Sequence, residues 1–195
     1  EILRCLVGSE MCIRDRVNLS LLNGNSREIE AALQEHRIDL GLVEGICRLP
    51  NLRYTTFLQD ELVAVVHTGS KLSLPDEITP EDLSRIPLVL RERGSGTLDV
   101  FERALSEHNM KLSSLNVLLY LGSTESIKLF LEHTDCIGIV SIRSISRELL
   151  SGTFRVIEIK GMPMLREFCF AQPQGQESGL SQVLMQFAMH HNKKL

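Results

Sequence analysis

From Val17 onward, apolar and polar positions along the chain follow regular periods. "VNLSLL" (17–22) alternates and predicts a strand. In "REIEAALQEH" (27–36), Ile29, Ala32 and Leu33 recur at helical spacing, and Asn25 with Glu28 three positions on has the form of a capping box. "IDLGLVEG" (38–45) is a short apolar run closed by glycine, which predicts a buried parallel strand. Residues 52–70 predict two extended segments, and "ELVAVV" is apolar enough to lie centrally in a sheet. "LPDEITPEDLSRIP" (74–87) reads as a loop containing a helix start at Thr79-Pro80-Glu81-Asp82.

The second half repeats one unit. "LVLRERGSGT" (88–97) is a strand running into small polar residues, followed by an amphipathic helix over 98–110 with Val100, Phe101, Ala104 and Leu105 inward. "LNVLLYLGST" (115–124) and "ESIKLFLEH" form the same pair again. "CIGIVSI" is a buried strand, and "RSISRELLSG" a short helix closed at Gly152. "FRVIEIKG" and "REFCFAQPQ" are strands, and the helix "SGLSQVLMQFAMHH" carries Leu180, Val183, Leu184 and Phe187 as its apolar stripe. Strands alternating with helices predict an α/β fold with a mainly parallel sheet. Such sheets bind ligands beyond the carboxyl ends of their strands.

Residues 5–16, "CLVGSEMCIRDR", have no period. Cys5 and Cys12 are seven apart with no histidine beside them, which is not a zinc spacing. The stretch also lacks the apolar core and cleavage site of a signal peptide. It resembles the translation of a sequencing-library adaptor, so residues 1–16 are taken as a non-native scar and the native chain as starting near Val17.

The formal charge of −4 makes the chain a poor free-standing nucleic-acid binder, because phosphate neutralisation supplies most non-specific affinity. Removing residues 1–16 leaves it unchanged, since they carry three acids and three bases. No apolar run reaches membrane-spanning length. Cys47, Cys136 and Cys169 are scattered in apolar surroundings and read as buried free thiols of a cytoplasmic protein. No metal site and no cofactor are expected.

Three junctions carry the candidate chemistry: Asn23-Gly24-Asn25-Ser26, Gly94-Ser95-Gly96-Thr97 and Gly122-Ser123-Thr124. Each ends a strand and enters a helix, whose first turn presents unpaired N–H groups and a positive dipole end. Glycine admits a ligand to the backbone and hydroxyls add donors, the ingredients of anion binding. Ser, Thr and Asn also serve simply as helix caps, and that alternative stands at each junction. Arg91 and Arg93 flank the second junction and could draw an anion toward it. "GSGT" lacks the Gly-Lys-Ser/Thr ending of a phosphate loop, and "RGSGT" is not a Gly-x-Ser-x-Gly elbow. His36, His108 and His133 sit at helix ends, where they complement the dipole. No set of nucleophile, base and orienting group appears, so no enzyme is expected.

"NGNSREIEAALQEHRIDLGLVEG", "LQDELVAVVHTGSKL", "ITPEDLSRIPLVLRERGSGTLDVFERAL" and "LGSTESIKLFLEHTDCIGIVS", in that order, resemble the effector-binding domain of LysR-type bacterial transcription regulators over 17–190. The resemblance implies a periplasmic-binding-protein-like fold: two Rossmann-like α/β lobes joined by two crossover strands, here "ELVAVVHTGS" and "REFCFAQPQ". Lobe I would comprise 17–66 plus 168–190, and lobe II 67–167. It implies a small anionic or polar effector in the cleft, met by Ser95, Gly96 and Thr97, by Ser123 and Thr124, and by Glu44 and Gly45. The family's winged helix-turn-helix, linker helix and first strand and helix of lobe I have no counterpart in this sequence. The expectation is therefore an N-terminally truncated sensing domain, with DNA contact and homo-oligomer formation belonging to the full-length protein. A solute-binding protein of a transport system shares the fold and is the competing reading.

Overall fold

In the computed structural model, residues 20–44, 49–175 and 178–192 are described below. The adaptor-like stretch and Cys47 lie outside them.

Helix α1 (Ser26–Gln34) begins with the expected capping box: the Asn25 side chain accepts the Glu28 N–H at 3.1 Å, and the Glu28 carboxylate accepts the Asn25 N–H at 2.9 Å. Strand β1 (Gly41–Glu44) follows, then β2 (Leu52–His67), β3 (Glu77–Ile78) and a 3-10 turn at Pro80–Ser84. Next come β4 (Leu88–Arg91), α2 (Gly96–Glu107), β5 (Val117–Leu121), α3 (Thr124–His133) and β6 (Ile137–Ser141). The chain closes with α4 (Ser146–Leu150), β7 (Phe154–Ile159), β8 (Met164–Pro173) and α5 (Gly179–Asn192). Beyond α4, Gly152 takes φ +71°, the left-handed conformation that a glycine stop supplies.

One eight-stranded sheet runs β1-β8-β2-β6-β4-β5, with β7 beside β2 and β3 beside β7. Strand β2 is a single strand, not two segments: it pairs with β8 from Leu52↔Pro173 to Leu62↔Met164, with a register shift at Thr56/Leu58, and then with β7 on the same edge and β6 on the other. "ELVAVV" is thus central, as expected.

The sheet is mixed. Only β3·β7, β4·β5 and β4·β6 are parallel, while β1·β8, β2·β8, β2·β6 and β2·β7 are antiparallel. Strands β2 and β8 run past each other antiparallel, and β1 pairs antiparallel with β8 while β6 and β7 pair antiparallel with β2. This corrects both the mainly parallel sheet and the parallel reading of 38–45. Residues 20–22 carry no strand, against the expectation for 17–22. Among the described residues β1 pairs only with β8, so no ladder reaches them. The helix start at Thr79 holds only as a capped 3-10 turn.

Alternate residues of the central strands supply two cores. Leu62, Ala64 and Val66 of β2, with Leu88, Leu90, Ile137 and Ile139, receive Val100, Phe101, Ala104 and Leu105 of α2. On the opposite face Val65, Val89 and Val140 receive Ile127 and Leu131 of α3. A third, smaller cluster joins Ile29 and Leu33 of α1 to Val43, Leu52 and Ala171. Two α/β lobes thus share β2 and β8. In α5 the expected stripe is wrong: Leu180 and Val183 are 57% and 51% exposed, while Ser181 and Ala188 are buried. The buried side of the helix therefore carries the small residues Ser181 and Ala188.

Candidate functional site

Two of the three junctions line one cleft, and the third abuts it through Glu44. A cleft of about 520 Å³ is lined by Asn23, Gly24, Asn25 and Ser26 before α1, by Leu42 and Glu44 of β1, by Arg91 and Glu92 after β4, by Gly122, Ser123 and Thr124 before α3, and by Phe168 of β8. Glu44, Ser123 and Thr124 of the expected site residues therefore face the cleft. Ser95, Gly96 and Thr97 do not line it; they are buried behind Glu44. Gly45 lies outside the described residues.

Each junction also caps its helix. The Ser95 hydroxyl accepts the Leu98 N–H at 3.2 Å, and the Ser123 hydroxyl accepts the Ser126 N–H at 3.1 Å. Capping and cleft lining coincide at Ser123, whose hydroxyl caps α3 from a residue that lines the cleft, and at Asn25, whose side chain caps α1; Ser95 caps α2 without lining it. At the β4–α3 side, Arg91 donates to the Thr124 hydroxyl at 3.5 Å and to the Gly122 carbonyl at 3.3 Å. Its Nε and Nη2 are held by Glu92 at 2.8 and 3.1 Å. Burial alone would raise the Glu92 carboxyl; hydrogen bonds from Arg91, its own amide and Asn25, with the Arg91 charge, hold it below the ordinary carboxylate range. Arg93 is exposed.

The start of α2 is closed by the opposing lobe. The Thr97 hydroxyl donates to Glu44 Oε1 at 3.1 Å, and the Glu44 backbone is fixed on both sides by the Ser26 hydroxyl, which donates to its carbonyl at 2.7 Å and accepts its N–H at 3.2 Å. Gly96 is required at this contact: a Cβ there would lie 2.1 Å from the Glu44 carbonyl oxygen. Beside it the Arg27 amide donates to the Gly94 carbonyl at 3.4 Å, and the Arg27 guanidinium lies 3.5 Å from Asp99. Glu30, buried on α1 and bonded by the Tyr54 hydroxyl at 2.7 Å, faces the same boundary. Burial pushes its carboxyl up and the Asp99 charge adds to this, against the Tyr54 hydrogen bond and Arg27.

Behind Glu44 lies a charged pair that the sequence reading did not single out. Asp60 and Arg166 stand directly opposite on β2 and β8. Arg166 Nε and Nη2 each approach Asp60 Oδ2 at 2.7 Å, and the Ser141 hydroxyl donates to Asp60 Oδ1 at 2.8 Å. Two opposite charges at the ends of otherwise apolar crossover segments were the available signal. Their meaning depended on a cross-strand register that sequence does not supply.

His36, His108 and His133 close helices as expected; His108 Nδ1 lies 3.0 Å from the Ala104 carbonyl. Cys136 and Cys169 are buried and form no disulfide, and burial pushes the Cys136 thiol up to about 11. Among the described residues no group of three or more His, Cys, Asp or Glu side chains could hold a metal, and no helix is long and apolar enough to cross a membrane.

A family model, the LysR substrate binding domain, matches residues 14–193. The chain is 33% identical over 141 residues to the HTH-type transcriptional regulator YeiE of Escherichia coli (strain K12), covering 72% of this chain and 47% of the relative. It is 27% identical over 178 residues to the HTH-type transcriptional activator CmpR of Synechocystis, covering 91% and 58%. The chain thus spans about half the length of these curated relatives. Among solved structures, the Synechocystis CcmR regulatory domain in complex with 2-PG superposes with a TM-score of 0.75 at 24% identity, covering 88% of this chain and 81% of that one. The effector binding domain of QuiR in complex with shikimate superposes at 0.73 and 20% identity, covering 88% and 79%. At those identities the structures carry the fold alone, the two-lobe periplasmic-binding-protein-like architecture. Together with the family match along nearly its whole length, they show that this chain belongs to the LysR substrate binding domain family.

Proposed function

We propose that the chain is the effector-sensing part of a LysR-type transcription regulator, with residues 17–66 and 168–190 as lobe I and 67–167 as lobe II. A small anionic or polar effector enters the cleft and biases subunits between two states; the full-length protein is a cytoplasmic homo-oligomer whose separate domain contacts DNA. The observation that carries this reading is the cleft itself. Its polar lining comes from both lobes and from two helix starts, so a ligand there contacts both bodies at once. That YeiE and CmpR are named as transcription regulators, and that the family model is the LysR substrate binding domain, favours this over a transport-system solute binder. Nothing in the lining supplies a nucleophile with a base, so binding rather than catalysis is proposed.

The test is calorimetry and thermal shift on the 195-residue chain with 2-PG, shikimate, inorganic sulfate and a neutral sugar as probes. A ligand binding only the folded state raises its apparent stability. We expect at least one acidic probe to give a saturable rise, weakened about tenfold in Ser123→Ala/Thr124→Val, the loss of roughly one charge-assisted hydrogen bond. Equal affinity in that variant, or no acidic probe binding, would overturn the proposal.

A further inference from the structure

Arg166, 7% exposed, lies directly behind the cleft residues Glu44 and Phe168, and its planar fork is divided between two directions. One side is spent inside the crossover, on Asp60. The other side, Nη1, points to the start of α2, donating to the Thr97 hydroxyl at 2.9 Å and meeting Glu44 Oε2 at 2.5 Å. The ring of Phe168, itself a cleft residue, lies 4.8 Å from the guanidinium carbon. Asp60 is anchored by Ser141, so it holds the fork in place instead of competing for the cleft.

Glu44 differs from Asp60. Its backbone is fixed by Ser26, but among the described residues its carboxylate is held by Thr97 and Arg166 alone, and its residue lines the cleft. Two carboxylates therefore share one buried guanidinium, and the outer one can turn toward solvent without moving β1. A carboxylate already seated on a guanidinium N–H and a hydroxyl shows what chemistry that seat accepts: an oxyanion with two oxygens about a carboxylate's spread apart.

We infer that Arg166, positioned by Asp60, is the specificity-determining residue of the cleft, that it and Thr97 form an oxyanion seat, and that the chain's own Glu44 occupies this seat until an effector's acidic group replaces it. The inference rests on the cleft being the effector site. Because Arg166 lies on a crossover strand, the group that reads the ligand also belongs to the segment joining the lobes. A neutral polar ligand has no means of displacing Glu44, so the effector class is an acid.

The experiment fills the seat from outside. In Glu44→Ala, sodium formate and sodium sulfate are titrated against sodium chloride at matched ionic strength, with melting temperature and calorimetry as readouts. Formate or sulfate should stabilise this variant saturably, with an affinity at least tenfold above that for the unaltered chain, while chloride does not. Formate alone identifies a planar carboxylate seat, and sulfate alone a tetrahedral one; either supports the inference. Adding Arg166→Lys should abolish the saturable effect in a chain whose circular dichroism shows it folded, because an ammonium cannot serve Asp60 and the seat in one geometry. Should that chain not fold, Glu44→Ala/Thr97→Val tests the second donor and should weaken binding about tenfold. Chloride matching both oxyanions, or unchanged affinity without Arg166 or Thr97, would overturn it. If a cleft probe binds the unaltered chain while these variants are unaffected, the cleft reading stands and the assignment to Arg166 falls.

Discussion

Gly96→Ala is the smallest change that separates lobe contact from lobe folding. In the structure the new methyl carbon would sit 2.1 Å from the Glu44 carbonyl oxygen and 2.5 Å from its carbonyl carbon. Ordinary contact needs about 3.5 Å, so the end of β1 and the start of α2 must part by more than about 1 Å. The obstructing atoms are backbone, fixed by the Ser26 hydroxyl, so no side-chain rotation relieves the clash. If the lobes are forced to stay closed, the cost is that of overpacking, about 1–3 kcal/mol. If they hinge apart, the cores around Phe101 and Leu33 are untouched and global stability falls by less than about 1 kcal/mol, while the Glu44–Thr97 and Arg27–Asp99 contacts are lost. We expect the second outcome. Urea unfolding measures the stability, and amide chemical shifts of Ser26, Glu44, Gly94 and Thr97 report the contact. A variant with unchanged shifts at all four and unchanged stability would refute the close approach of Gly96 to Glu44.

Glu30→Gln keeps an acceptor for Tyr54 but cannot ionise; because the folded carboxyl is raised above 4.5, its contribution is fully present below that pH and lost as pH rises through the folded value. The variant should therefore gain stability relative to the unaltered chain between pH 4 and pH 7, and equal urea midpoint differences at both would refute this. Lys128 is held by Glu148 at 2.7 Å and Glu125 at 2.9 Å, so Lys128→Met, which strands the half-buried Glu148, should cost about 1–3 kcal/mol near neutral pH in thermal melts. Burial lowers the Lys128 ammonium, but the two carboxylates outweigh it and raise the value above 10.5, so that support is present at lower pH and disappears only as pH rises through the folded value. Ile127→Ala empties a fully enclosed site between α3 and Gly138 and should cost about 2–5 kcal/mol by urea unfolding.

Local chemistry was legible in the sequence wherever a single segment decides it. The Asn25–Glu28 capping box, the inward face of α2, the Gly152 stop and the hydroxyls opening α2 and α3 depend only on near neighbours, and their spacing announced them. The order of segments was enough to show the two-lobe family. Segment patterns do not encode strand sense, because a parallel and an antiparallel strand bury the same apolar residues; only the assembled sheet sets β1 antiparallel to β8 and β6 and β7 antiparallel to β2. Helix α5 failed for a related reason. Its apolar residues cover several faces, and packing chose the side with Ser181 and Ala188. The deepest part of the site was out of reach of any window. Asp60, Arg166, Glu44 and Thr97 come from four elements, and a charge in a strand means nothing until the register places its counter-charge opposite. Periodicity is a property of a few neighbouring residues, whereas pairing of buried charges is a property of distances that only the assembled fold sets.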